Sequence, residues 1–141
     1  MKAALALLLL VPVAGCGGGN SRNDFVNDAL EICRTSNNRV QALGTPESFT
    51  DTQLYARQSE DAVGDEIDEL RKLTPPAELE EALTQYLATL EQRRRQLELL
   101  AEAADENNMA SIQGVGTELS VLTAKARTQA RRAAIAACEP G

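Results

Sequence analysis

The sequence has no histidine and no tryptophan, and its aromatic side chains number four: Phe25, Phe49, Tyr55 and Tyr86. Without an imidazole there is no Ser-His-Asp or Cys-His couple, no histidine-ligated metal and no histidine switch near neutral pH. With 14 basic residues against 21 acidic ones and so few rings, the basic groove with stacking platform that holds nucleic acid is missing, and no nucleic-acid partner is expected. Strand-like alternation of polar and apolar residues is also missing. The three cysteines form no CxxC pair. At 141 residues the chain is long enough for one domain and too short for two.

The first sixteen residues carry one basic side chain, Lys2, then an uncharged apolar run from Ala3 to Val13, then small residues before a cysteine. That is the layout of a secretory signal peptide, and the run is too short for a mature membrane span. Val13-Ala14-Gly15-Cys16 is similar to the lipobox of bacterial lipoproteins. The resemblance implies cleavage before Cys16, a diacylglycerol thioether and further acylation (palmitate) on Cys16, and a protein held on the extracytoplasmic face of the cell membrane. Two or three acyl chains suffice for stable attachment, since each buried methylene contributes about 0.8 kcal/mol. Residues 1–15 are thus expected to be a signal peptide, and residues 16–23 a lipidated cysteine with a Gly-rich tether reaching about 15 Å. Removing the leader lowers the apolar share to about 38%, an ordinary value for a folded domain.

Residues 24–141 read as helical throughout. Asp24 is the candidate cap of a first helix, 24–43, with Val26, Ala29, Leu30, Cys33, Val40 and Leu43 on one face and Asn37 beside them, stopped by Gly44 and Pro46. A second, 50–73, turns Ala56, Val63, Ile67 and Leu70 inward and a dense acidic set outward. Thr74-Pro75-Pro76 breaks the chain. The third helix, 76–105, has the clearest stripe: Leu79, Leu83, Tyr86, Leu90, Leu97, Leu100 and Ala104 alternate in steps of four and three. After a polar turn ending in the N-cap candidate Asn108, a fourth helix, 109–137, buries Ile112, Val115, Leu119, Leu122, Ala126, Ala130 and Ala133, with Gly114 and Gly116 open to close approach by a neighbour. Four amphipathic segments on short connections predict an all-α, up-down-up-down antiparallel four-helix bundle.

Apart from Cys16, Cys33 and Cys138 form an even remainder, which in an exported chain reads as a disulfide; a redox-active pair and a shared metal are the alternatives. Three further groups invite chemistry. Asp61, Asp65 and Asp68, with Glu66 and their acidic neighbours, suit a solvated helix face better than a cation site, which needs oxygens converging from a loop. Arg93 falls on the leucine stripe of the third helix and so faces the core, where Glu60 of the antiparallel second helix is the candidate partner. Arg93, Glu60 and Asn37 together are the candidate lining of a polar, anion-binding pocket. Carboxylates on a small bundle supply neither the cleft nor the raised pKa of an acid-base pair, so no enzyme activity, metal or cofactor is expected.

The run Phe25…Ala29…Ile32-Cys33…Asn37…Arg39-Val40…Ala42-Leu43, the Leu73-Thr74-Pro75-Pro76 turn and the Ala-rich last helix closing on Cys138 resemble a group of small lipoproteins of high-GC Gram-positive bacteria. The resemblance implies a helical bundle closed by a Cys33–Cys138 bridge and implies no activity. The expected role is that of a non-enzymatic, lipid-anchored module acting through envelope protein partners. The alternative is a lipoprotein that holds a small polar or anionic ligand near Arg93.

Overall fold

A computed structural model describes residues 21–138, so the leader, Cys16 and most of the tether lie outside the described residues. The fold is an all-α, up-down-up-down bundle of α1 (Arg22–Ala42), α2 (Phe49–Leu70), α3 (Ala77–Asp105) and α4 (Met109–Arg132), followed by a short 3-10 segment, Ala136–Cys138. Cys33 and Cys138 are joined in a disulfide with Cα atoms 4.8 Å apart. No helix among the described residues is long and apolar enough to cross a membrane.

Local chemistry sets each boundary. α1 starts earlier than its acidic residue suggested: Ser21 is the N-cap, accepting from the Asp24 amide, while the Asp24 carboxylate accepts from the Ser21 amide. Asp24 is therefore the third helical residue of a capping box and not the cap. Gly44, with φ of 71°, ends α1 in the left-handed conformation that glycine adopts without a Cβ penalty. α2 is capped by Ser48 and stops at Leu70, three residues short of the expected end, because the approach to Pro75 disfavours helical geometry and residues 72 and 73 close tighter turns onto Glu69 and Leu70.

α3 and α4 both end in the same two-bond motif. Asn107 takes the left-handed position after α3, and the amide of Asn108 returns to Ala103 at 2.8 Å; the Asn108 side chain then caps α4 as expected. After α4 it is Ala134, with φ of 60°, that turns left-handed, and the Ile135 amide returns to Ala130 at 2.9 Å. The fourth helix thus ends at Arg132 and not at 137. A helix continued through residue 138 would carry Cys138 about 9 Å beyond that end; the reversal brings it back to Cys33 instead.

The core divides into two storeys. At the Ser21 end, Phe25, Ala29, Val63, Ile67, Leu79, Leu83, Tyr86, Leu90, Ala126, Ala130 and Ile135 pack around the disulfide. At the other end Ala56, Leu100 and Ala101 are packed by half-buried Ile112, Val115 and Leu119. All seven predicted core positions of α3 and all four of α2 are buried. α1 buries Phe25 more deeply than Val26, and α4 is buried chiefly from Leu122 onward. Gly114 and Gly116 sit with nothing within 4 Å of where a Cβ would be, so they are not a close helix contact. α2 packs on α3 and α3 on α4, whereas α1 packs on α2 and on the C-terminal segment without approaching α4. The C-terminal segment, held by the disulfide, bridges that opening.

Candidate functional site

Within the core the helix seams turn polar. α2 continues its apolar spacing as Ala56, Ser59, Val63, Glu66 and Leu70, so Glu66 points inward and is only 5% exposed, unlike the solvated acidic residues around it. Its surroundings are specific. Glu66 Oε1 accepts from the Tyr86 hydroxyl at 2.9 Å, and the Ser36 hydroxyl is a further partner. The same oxygen lies 3.7 Å from Cys33 Sγ, a disulfide sulfur with no proton to give.

Proton counting constrains this cluster. The phenol of Tyr86 has one proton but stands 2.9 Å from both Glu66 Oε1 and the Cys138 carbonyl. Ser36 likewise faces the Ala62 carbonyl at 3.2 Å as well as the carboxyl. If Glu66 holds a proton, it donates to Tyr86 and frees the phenol to donate to Cys138. Burial pushes the Glu66 carboxyl above its ordinary range, against the opposing pull of Ser36, Tyr86 and Arg93. Burial, with Glu66 alongside, raises the Tyr86 phenol as well.

Arg93 lies one turn beyond Leu90 on the α3 seam, as the spacing predicted, but its partner differs. Glu60 pairs with the adjacent Arg94, at 3.5 Å, because a step of about 100° along the helix swings Arg94 out toward the edge of α2. Arg93 instead faces Glu66 without an ion pair inside 4 Å, and its Nε is buried without a hydrogen-bond partner among the described residues. Burial lowers its pKa, while Glu66, Tyr86 and Tyr55 favour the charge and Arg127 opposes it. Ser59 Oγ and Gln129 Oε1 are buried without partners in the same way.

Next to Arg93 is a cavity of about 300 Å³ walled by α1 (Ser36, Asn37), the α1–α2 connection (Gly44, Thr45), α2 (Tyr55, Glu66) and Arg93 itself. The structure therefore brings Asn37 and Arg93 to one pocket and leaves Glu60 out of it. Ser36, Tyr55 and Glu66 are the members that the sequence reading missed; for Glu66 the signal was its place in the three-four spacing. Of the acidic candidates, Asp65 pairs with Arg39, and Asp68 lies 3.9 Å from Arg71. Among the described residues no three Asp, Glu or Cys side chains converge on a metal-sized site.

In the pocket wall the Glu66 carboxyl is engaged by Tyr86 and Ser36, and the Ser36 hydroxyl faces a main-chain carbonyl and that same carboxyl. Comparison with protein-family models, with curated proteins and with solved structures returned no match.

Proposed function

We propose that this protein is a lipid-anchored, non-enzymatic module on the extracytoplasmic face of the cell membrane that acts by contact with envelope proteins. The anchor rests on the lipobox, Val13 to Cys16, and on a tether that enters the bundle at Ser21. With Ser21, the Pro75-Pro76 turn and the C-terminal segment at one end, the α1–α2 and α3–α4 connections form the end turned away from the membrane.

The observation that supports protein contact is the composition of that far end. Residues 41–54 and 102–113 hold five acidic side chains, Glu47, Asp51, Glu102, Asp105 and Glu106, and no basic one. Leu54 and Met109 are each more than half exposed there, and Pro46, Phe49, Met109 and Ile112 line a shallow groove between α2 and α4. Exposed large apolar side chains ringed by one sign of charge are a feature of interaction surfaces. The test has two arms. Cys16→Ser should abolish incorporation of an alkynyl palmitate label and release the protein from the membrane fraction; retention with the label intact would sink the anchor. A photo-crosslinker at position 54 should yield discrete adducts in cells, lost when Met109→Glu is added without loss of helicity; adducts that persist unchanged would sink the contact surface.

A second reading, binding of a small ligand near Arg93, is favoured by one specific observation: a guanidinium Nε buried without a hydrogen-bond partner among the described residues, beside a polar cavity.

A further inference from the structure

A guanidinium carries five donors and a charge, and removing it from water without a partner costs several kcal/mol. Arg93 is half-buried and its Nε stands in such a place, whereas its neighbour Arg94 reaches Glu60 from an exposed position. The groups that face it offset that cost only in part. From α2 these are Glu66 and Tyr55, from α3 Tyr86, and from α4 Arg127. Glu66 is held by Tyr86 and Ser36, and burial favours its neutral form, while Arg127 adds positive field.

We propose that the cavity between α1, α2 and α3 binds a small organic monocarboxylate, its carboxylate held by the Arg93 guanidinium. The proposal deepens the second reading above and rests on it. A planar carboxylate matches the guanidinium fork with two parallel hydrogen bonds and gives the buried Arg93 Nε the partner it lacks among the described residues. Val40, Val63 and the Tyr55 ring give the rest of the ligand an apolar wall, and Asn37 gives it a polar one. The volume, about 300 Å³, stands at the lower limit for small-molecule sites and suits a ligand of about ten non-hydrogen atoms. A doubly charged anion lacks a second inward-facing cation in the wall.

The test uses the full lipidated chain, 15N-labelled, in nonionic detergent micelles, titrated with benzoate and, separately, with inorganic phosphate. Benzoate should give saturable amide shifts at Asn37, Gly44 and Tyr55. Arg93→Gln should weaken binding at least about tenfold, the loss expected for a charge-assisted hydrogen-bonded pair, whereas Arg94→Gln should leave it within about twofold. Arg93→Lys, which keeps the charge without the fork, should fall between, and it decides the matter if Arg93→Gln does not fold. Equal loss in Arg94→Gln overturns the assignment to Arg93. Phosphate binding as well as benzoate overturns the carboxylate class while keeping a pocket, and a wild-type chain silent to both overturns the pocket with it, leaving the anchor and the far-end contact surface standing.

Discussion

Removing one oxygen atom tests the polar cluster most directly. Tyr86 is fully buried, and its hydroxyl stands 2.9 Å from both Glu66 on α2 and the Cys138 carbonyl in the C-terminal segment, so it ties three elements together. Tyr86→Phe keeps the ring and its packing and leaves two buried polar groups, the Glu66 carboxyl and the Cys138 carbonyl, each short of a partner. An unsatisfied buried polar group costs about 1–3 kcal/mol. Since Glu66 retains Ser36, the expected loss is about 2–4 kcal/mol. For a domain of this size that lowers Tm by roughly 8–16 °C. The assay is thermal unfolding of the oxidised protein followed by far-ultraviolet circular dichroism. A cycle with Glu66→Leu separates the two bonds: once the carboxyl is gone, Tyr86→Phe should cost about half as much, a coupling of about 1–2 kcal/mol. A Tyr86→Phe protein within about 0.5 kcal/mol of wild type, or a full-sized effect in the Glu66→Leu background, would refute the bridging role.

Three other outcomes follow from the same structure. Replacing Cys33 and Cys138 by Ala opens a loop spanning 105 residues, for which chain entropy predicts on the order of 4–5 kcal/mol, read as a drop in the urea midpoint; an unchanged midpoint would show that the bridge contributes nothing. The folded state raises the Glu66 pKa and therefore binds its proton more tightly than the unfolded chain does. Stability from this group is fully present below the ordinary carboxyl value of 4.5 and is lost as pH rises from there through the native value, so Glu66→Gln should flatten that decline in denaturant titrations from pH 4 upward. Ala134→Gly should stabilise by up to about 1 kcal/mol, because the left-handed conformation costs an L-residue about 1–2 kcal/mol and glycine returns roughly half of that as unfolded-state entropy; a lower Tm would contradict the turn at the end of α4.

The sequence made the helices and most of their inward faces legible because a three-four spacing of Leu and Ala has one consistent meaning over seven turns, as in Leu79 to Ala104. It concealed Glu66 because composition and spacing disagreed there. Asp65, Asp68 and Glu69 around it are exposed, and only its step of three from Val63 and four to Leu70 marked it as buried. Arg93 was legible as core-facing, yet pairing it with Glu60 required the relative rotation of two helices, and one residue of slip handed that partner to Arg94. The reversal at Ala134 left no local signal, since neither glycine nor asparagine marks the left-handed position; the bridge to Cys33, a contact distant in sequence, accompanies it.

The buried polar side chains bear on how the bundle works. Ser36, Glu66, Arg93 and Gln129 interrupt the apolar seams of α1, α2, α3 and α4. A bundle selected for stability alone would carry Leu or Ala at such places, since apolar replacement of buried charge is often stabilising by 1–4 kcal/mol. α1 behaves in keeping with that division. Its first half is fixed by Phe25, Ala29 and the Cys33 bridge, while its second half, from Asn37 to Ala42, lies half-buried or exposed along α2 and closes one wall of the cavity beside Arg93. Few buried apolar contacts hold that half in place, and a wall of that kind opens at less free-energy cost than the core beneath it. The disulfide therefore does more than close a long loop: it fixes the first half of α1 to the C-terminal segment beside Glu66, while the second half rests on its packing along α2.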